Sequence, residues 1–321
     1  MASNNVRGVS RILNKLENSV KAGDYYEAHQ MYRTLYFRYL GQKKYDELLD
    51  MMYEGAQLFL NHDQQGSGAD LSILLIDVLE KSENTDVNKW VPKLTNLFRK
   101  ISHTVPERDT FLVNSIRWSK LDTDLGHPLL HQSVAQVYWN EKNYIQARHH
   151  YLRSYDGHSC ARLLIEFQCG QGYSYEVDLF IAQTVLQYLC LSNTSTATET
   201  FTSYTQQHPG IRKHGPPYLF PILNFIWFLL QAIESRKLAA FTLLCEQYQP
   251  SIKRDPCYMQ YLDKIGQIFF DVKPPQRQNG GFLGNFIQNF LGGLDDDSDD
   301  DVQPPLARPS TSQPMESSEL D

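Results

Sequence analysis

The chain has 321 residues, 41% apolar, 21% charged and 12% aromatic, enough to bury a large core as one long α-helical array or as two compact domains. Its formal charge of −7 is uneven: after Val272 three basic residues stand against nine acidic ones, so the body before it is close to neutral. That body lacks the bulk positive charge of a generic nucleic-acid binder, and its densest apolar run, about 13 residues over 218–230, falls short of the ~20 that span a membrane.

Taken in chain order, the first residues hold no apolar stretch long enough for a secretory leader. Two related units follow, AGDYYEAHQMYRTLYFRYL over 22–40 and GQKKYDELLDMMYEGAQLFL over 41–60. A third, HQSVAQVYWNEKNYIQARHHYLRS, covers 131–154. Each couples a short polar turn to an aromatic and then to Ala or Leu. Small residues let antiparallel helices approach while aromatics wedge between neighbours, the logic of tetratricopeptide-type pairs. Apolar residues three and four apart continue through 71–79, 91–101, 107–121, 160–167, 176–191, 197–207, 219–236, 238–248 and 256–270. Ser10, Asp70, Asp86 and Ser159 precede periodic stretches and are expected as helix caps. No long alternation of β-branched and polar residues suggests a sheet. The expected fold is all-α, a right-handed α-solenoid of tetratricopeptide-like antiparallel helix pairs with roughly thirteen to fifteen helices.

Two segments break the pattern. Residues 208–221 pack four prolines and two glycines into one connection, long enough for a short hairpin insertion and of the kind that often binds. After Val272 comes a Pro/Gly-rich stretch, then an apolar patch over 282–291 in which Phe282, Leu283, Phe286, Ile287 and Phe290 repeat at helical spacing. The aspartate run that follows cannot bury enough apolar area to fold, and Ser298 within it resembles an acidophilic kinase site.

Catalytic chemistry has no constellation here. The phosphate-cradling G-x-x-x-x-G-K-[ST] loop, the G-x-S-x-G elbow and H-E-x-x-H are absent. His149, His150, His158 and Cys160 are the only residues clustered with metal-ligand chemistry. On a helix His149 and His150 diverge by about 100°, which denies them a shared ion. Neither enzyme activity, a metal nor a cofactor is expected. Five unpaired-looking cysteines without a leader fit a reducing compartment, the cytosol.

An array of this type holds other proteins, and two surfaces stand out. Basic residues crowd the N-terminus, among them Arg11, Lys15, Arg33 and Arg38, with Arg11 and Lys15 on one helix face. Exposed charges of this kind speed encounter with an acidic partner more than they add affinity. The second surface joins the 208–221 connection to the aromatic helix after it, with Ile211, Tyr218, Phe220 and Trp227 as candidate contacts and Phe225 and Phe228 expected in the core.

Several long strings, in order, carry a resemblance: GHPLLHQSVAQVYWNEKNYIQARHHYLRS, EVDLFIAQTVLQYLCL, PILNFIWFLLQAIE, FTLLCEQYQPSIKRDPCYMQYLDKIGQIFF and GGFLGNFIQNFL. Over 9–291 the chain resembles an animal member of the Golgi-to-ER traffic protein four family, the scaffold subunit of tail-anchored protein targeting. The resemblance implies a non-enzymatic cytosolic scaffold that links a chaperone complex to the targeting ATPase and serves protein quality control. It divides the chain into an ATPase-facing half (1–150), a half that holds a ubiquitin-like-domain protein and the C-terminal region of a BAG-family chaperone (151–272), and a disordered acidic tail (273–321). It places the ATPase face at Arg11, Lys15, Arg33 and Arg38, and the clasp at the 208–221 loop. Masking the chaperone's basic nuclear-localisation segment would need acidic cover, for which Glu176, Asp178, Glu199 and Glu246 are candidates. A proteasome-lid-like or membrane-coat scaffold is the alternative reading of the same array.

Overall fold

The structure, a computed structural model, describes residues 2–83, 86–120 and 125–273. Met1–Pro274 make one compact unit. The second unit, Pro275–Asp321, falls outside the described residues, and with it the 282–291 patch and Ser298.

Fifteen α-helices and no strand occur among the described residues. The first eight are α1 (Ala2–Ala22), α2 (Tyr25–Gly41), α3 (Tyr45–Asn61), α4 (Gln65–Lys81), α5 (Val87–Lys100), α6 (Glu107–Trp118), α7 (Pro128–Asn140) and α8 (Tyr144–Tyr151). The remainder are α9 (Gly157–Gln171), α10 (Val177–Cys190), α11 (Thr194–Gln207), α12 (Pro221–Ser235), α13 (Leu238–Gln247), α14 (Gln249–Ile252) and α15 (Cys257–Phe270). Tight turns join α1 to α2, α2 to α3, α3 to α4, α7 to α8 and α10 to α11, and the helices of each of these pairs pack together. Helices α3, α5 and α7 pack in one layer and α2, α4 and α6 in the other, while α9 packs on α11 and α10 on α12. Helix α15 folds back against α10 and closes the C-terminal end.

One turn recurs. Gly23, Lys43, Asp63 and Glu83 stand twenty residues apart, and each takes a left-handed conformation (φ between 52° and 81°), as do Lys142, Ser192 and Arg236 later on. Around Lys43 the Lys43 N–H donates to the Leu40 carbonyl at 3.0 Å and the Lys44 N–H to the Tyr39 carbonyl at 3.1 Å. The same pair of bonds recurs at Asp63, Lys142 and Ser192. This is the six-to-one closure that ends a helix and satisfies its last carbonyls. Only Gly23 among these residues is the glycine such a turn favours, which hides the repeat from the sequence.

The next helix starts at once. Asp86 caps α5 by accepting from the Lys89 N–H at 3.0 Å, as expected. Asn143, Asp156 and Asn193 cap α8, α9 and α11 in the same way. Ser10, Asp70 and Ser159 are not caps: they lie inside α1, α4 and α9. At Asp70 the reason is packing. Helix α4 begins six residues earlier than expected, through Gly66 and Gly68. A Cβ at Gly68 would stand 2.6 Å from the Leu60 side chain, so close helix approach outweighs glycine's poor propensity.

The core follows the wedge-and-gap logic. Ala28, Ala56, Ala135, Ala147 and Ala161 are fully buried at helix crossings. Aromatic pairs stitch neighbouring helices: Tyr32 on Phe59, Phe98 on Tyr138, Tyr144 on Phe167, Phe167 on Phe180, and Phe241 on Phe270. Such edge and offset contacts add about 0.5–1.5 kcal/mol each beyond the area they bury.

Candidate partner-binding surfaces

The N-terminal face separates the four basic candidates into two kinds. Lys15 on α1 reaches Glu27 on α2 at 2.5 Å, and Ser19 donates to the same carboxylate at 3.1 Å. These bonds hold the Glu27 carboxyl below its ordinary range, the Lys15 hydrogen bond foremost. Arg33 is deeper. Its Nη1 donates to both oxygens of Asp70 on α4 at 2.8 and 2.9 Å, and His29 lies 2.8 Å from the same group. Burial pushes the Asp70 pKa up, but the hydrogen bond from His29 and the Arg33 charge outweigh it, and the net shift is downward. Lys15 and Arg33 therefore hold helices together.

Arg11 and Arg38 differ. Both are exposed and make no ion pair with a described residue. Arg38 sits in the last turn of α2, where the helix dipole favours a cation. Beside it Phe37 is exposed, as is Tyr26 three turns earlier on the same face of α2. This pairing of free cations with exposed aromatics is more than charge counting suggested. Helix α2 carries aromatics on its exposed face as well as its buried one, so residue type does not separate Tyr26 and Phe37 from the core.

At the C-terminal end the 208–221 connection forms no hairpin. Pro209, Pro216, Pro217 and Pro221 lack the N–H that a strand ladder requires, and Pro221 instead opens α12. The segment is pinned at its base. The His208 Nε2–H donates to Gln168 Oε1 at 2.9 Å, and His208 Nδ1 accepts from the Gly210 N–H at 3.0 Å. Asn224 grips the Tyr218 backbone from both sides, accepting from its N–H at 2.7 Å and donating to its carbonyl at 2.8 Å.

Ile211 and Tyr218 are buried, Tyr218 edge-on against Phe201. They are anchors of the connection and not exposed contacts. Arg212, Lys213, His214 and Leu219 are among the side chains it presents outward. Phe220 is half-buried.

Beyond this connection a groove of about 790 Å³ opens between α11, α12 and the end of α15. Phe201, Trp227, Leu230 and Phe269 give it apolar walls; Glu199, Glu234 and Arg236 stand among its polar lining. The aromatics of α12 divide here. Phe225 is fully buried, as expected, and half-buried Trp227 faces the groove. Phe228 is 40% exposed, which corrects its assignment to the core.

The acidic candidates are mostly engaged. Asp178 is completely buried and held by the Arg254 guanidinium, whose Nη2 also donates to the Tyr175 carbonyl at 3.1 Å. It can offer nothing to a peptide in this fold, which corrects its reading as an exposed carboxylate. Glu176 closes the turn before α10 by accepting from the Tyr173 N–H at 3.1 Å. Glu199 accepts from the Gly157 N–H at 3.1 Å while lining the groove. Glu246 is half-buried on α13. Glu234 was missed, although it stands seven residues after Trp227 and so on the same helical face.

No group of His, Cys, Asp and Glu among the described residues is arranged to hold a metal ion, and no described helix is long and apolar enough to cross a membrane. His150 is buried while His149 and His158 are exposed, which separates the candidate cluster.

Stacked antiparallel helix pairs with grooves opening between them define an α-solenoid. The chain matches the model of the family described as Golgi to ER traffic protein 4 over residues 42–291. It is 52% identical over 299 residues to a Golgi to ER traffic protein 4 homolog of Oryzias latipes, covering 92% of each chain, and 48% identical over 311 residues to the Homo sapiens homolog, covering 96% of this chain and 93% of that one. The chain belongs to the Golgi to ER traffic protein 4 family. A crystal structure of C. therm. Get4 superposes with a TM-score of 0.76 at 24% identity, covering 93% of this chain and all of that one, which supports the helical fold.

Proposed function

We propose that this protein is a non-enzymatic cytosolic scaffold that links a chaperone complex to the ATPase delivering tail-anchored proteins to the endoplasmic reticulum. The observation that carries the reading is membership of the traffic family in a chain with exposed cations at its N-terminal end and a part-apolar groove at its C-terminal end. The half up to about residue 150 docks the ATPase, with Arg11 and Arg38 as its free cations. The half from 151 to 272 clasps a ubiquitin-like-domain protein through the outer side of the 208–221 connection. The same half takes apolar segments of a BAG-family chaperone's C-terminal region in the groove beside Trp227. Glu199 and Glu234 then provide negative charge for the chaperone's nuclear-localisation segment, keeping it in the cytosol and available for quality control.

The physics of the two contacts differs. Exposed guanidiniums act through long-range attraction that salt screens over about 8–10 Å, whereas burial of apolar area at Trp227 is insensitive to screening. The test uses the full chain as bait in cytosol, with captured proteins identified by mass spectrometry. Arg11→Glu with Arg38→Glu should lose the ATPase and keep the chaperone, and Trp227→Ala the reverse. A double charge reversal that loses both partners, or neither, would sink the division of labour. Failure of the unmodified chain to capture any of the three would sink the scaffold reading itself.

A further inference from the structure

A second groove, of about 630 Å³, opens between α6 and α8 in the middle of the solenoid and belongs to neither surface above. Leu112, Val113 and Ile116 of α6 form one wall, and Val113 is 61% exposed. Tyr138 and His150 line it from α7 and α8, stacked with ring centroids 5.6 Å apart. At the end where α6 begins, Arg108 and Glu141 close on each other in a two-bond ion pair at 2.5 and 3.1 Å, while the Arg108 Nε–H is buried without a partner.

His150 carries the inference. Its ring is only 3% exposed, and its Nδ1 lies 2.8 Å from His131 Nδ1. The other nitrogen of His131, Nε2, is 2.8 Å from the Leu125 carbonyl oxygen. A carbonyl can only accept, so Nε2 of His131 carries the proton, and the neutral ring has a lone pair at Nδ1. His150 must then donate from its own Nδ1. Burial keeps both rings neutral, helped by the nearby charge of Arg153. The tautomer is thereby fixed, and His150 Nε2 is a bare acceptor. Among the described residues nothing donates to it, yet it is not one of the polar atoms sealed from solvent without a partner.

We propose that this groove binds a partner peptide through one aromatic side chain that carries a hydrogen-bond donor, an indole or phenol, lying on Leu112, Val113 and Ile116 and donating to His150 Nε2. An apolar wall beside a neutral ring acceptor asks for a large apolar body with one polar hydrogen, which Trp and Tyr side chains provide, while His103, Asp109 and His149 make the rest of the lining polar. The groove's volume exceeds that of one ring, and the amides of Asn143 and Gln146 in its lining can pair with the peptide backbone beside the anchor.

The test is a titration of the full chain, labelled with 15N in its histidine rings, with indole and with 1-methylindole as probes. Indole should move the His150 Nε2 signal, the lone-pair nitrogen of that ring, and bind about fivefold tighter than 1-methylindole, which has the same body without the donor. Val113→Arg, at an exposed site that leaves the histidine pair untouched, should abolish both effects. Equal binding of the two probes, no shift up to the solubility limit, unaltered binding to the Val113→Arg chain, or a proton found on Nε2 of His150 would each overturn the proposal.

Discussion

Replacing Asp178 by Ala tests whether a carboxylate that looks like part of a binding face is instead an internal strut. The side chain is fully buried on the first turn of α10, and both of its oxygens accept from Arg254, in the turn before α15. Truncation leaves the guanidinium with only the Tyr175 carbonyl and opens a polar hole between two helices. Breaking a buried pair by deleting one partner costs about 3–5 kcal/mol. Arg254 is partly solvated, which places the expected loss near the lower end, about 3 kcal/mol. In a body of this size that corresponds to a midpoint about 6 °C or more lower in a thermal melt. Asp178→Asn keeps the shape and one acceptor, so it should lose roughly half as much. Hydrogen exchange should show the loss concentrated in α10 and α15, since helix-pair arrays couple mainly between neighbours. An Asp178→Ala chain with an unchanged melt and exchange pattern, but weakened capture of a basic peptide, would refute this reasoning and restore the residue to the binding face.

Three further outcomes follow from the same geometry. Arg33→Glu should lower the thermal midpoint, because it sets a carboxylate against Asp70, whereas Arg11→Glu and Arg38→Glu should leave it unchanged; parallel melts of the three variants decide it. The His131–His150 pair makes the fold sensitive to acid. Burial is the main cause that lowers the two pKa values, to about 4 and about 2 from the ordinary 6.5. Their contribution is therefore complete above pH 6.5 and is lost as pH falls towards 4, at up to about 1.4 kcal/mol per pH unit for each ring. Urea midpoints at pH 7 and pH 5 should differ accordingly, and substituting both histidines with Gln should flatten the difference even if it lowers the plateau. At the left-handed turn after α10, Ser192→Gly should stabilise by about 0.5–1 kcal/mol and Ser192→Val should destabilise, as read by the same urea midpoints.

The helices were legible because each keeps an apolar stripe at three- and four-residue spacing, and the small-plus-aromatic pattern of 131–154 marks α7, its turn and α8 almost to the residue. The exact step of the N-terminal array was not. It is set by left-handed residues at 43, 63 and 83, and Lys, Asp and Glu there give no sign of a backbone that glycine would announce. Capping failed in a related way. Asp70 has the right chemistry, but α4 starts before it through the close approach at Gly68, and at Ser159 the cap is Asp156, three residues earlier, which accepts from the Ser159 N–H.

Charge was the least legible property of the candidate surfaces, for a reason of range. Sequence spacing reveals partners three or four residues apart, whereas the pairs that matter here join Arg33 to Asp70 and Asp178 to Arg254. A solenoid brings together side chains one or two helix pairs apart, so a basic or acidic residue cannot be assigned to a binding face until the neighbour across the groove is known. Of the eight charged residues first placed on the two faces, Lys15, Arg33 and Asp178 join helices to one another, Glu176 closes a local turn and Glu199 accepts from the Gly157 N–H. Of the basic four, Arg11 and Arg38 alone are exposed and without an ion pair among the described residues. The same long-range pairing left the His131–His150 contact invisible, since its nineteen-residue separation spans a turn and most of two helices. Charge reversals chosen from the sequence alone would confound folding with docking, and the informative variants are those at exposed residues whose loss leaves no buried group without its partner.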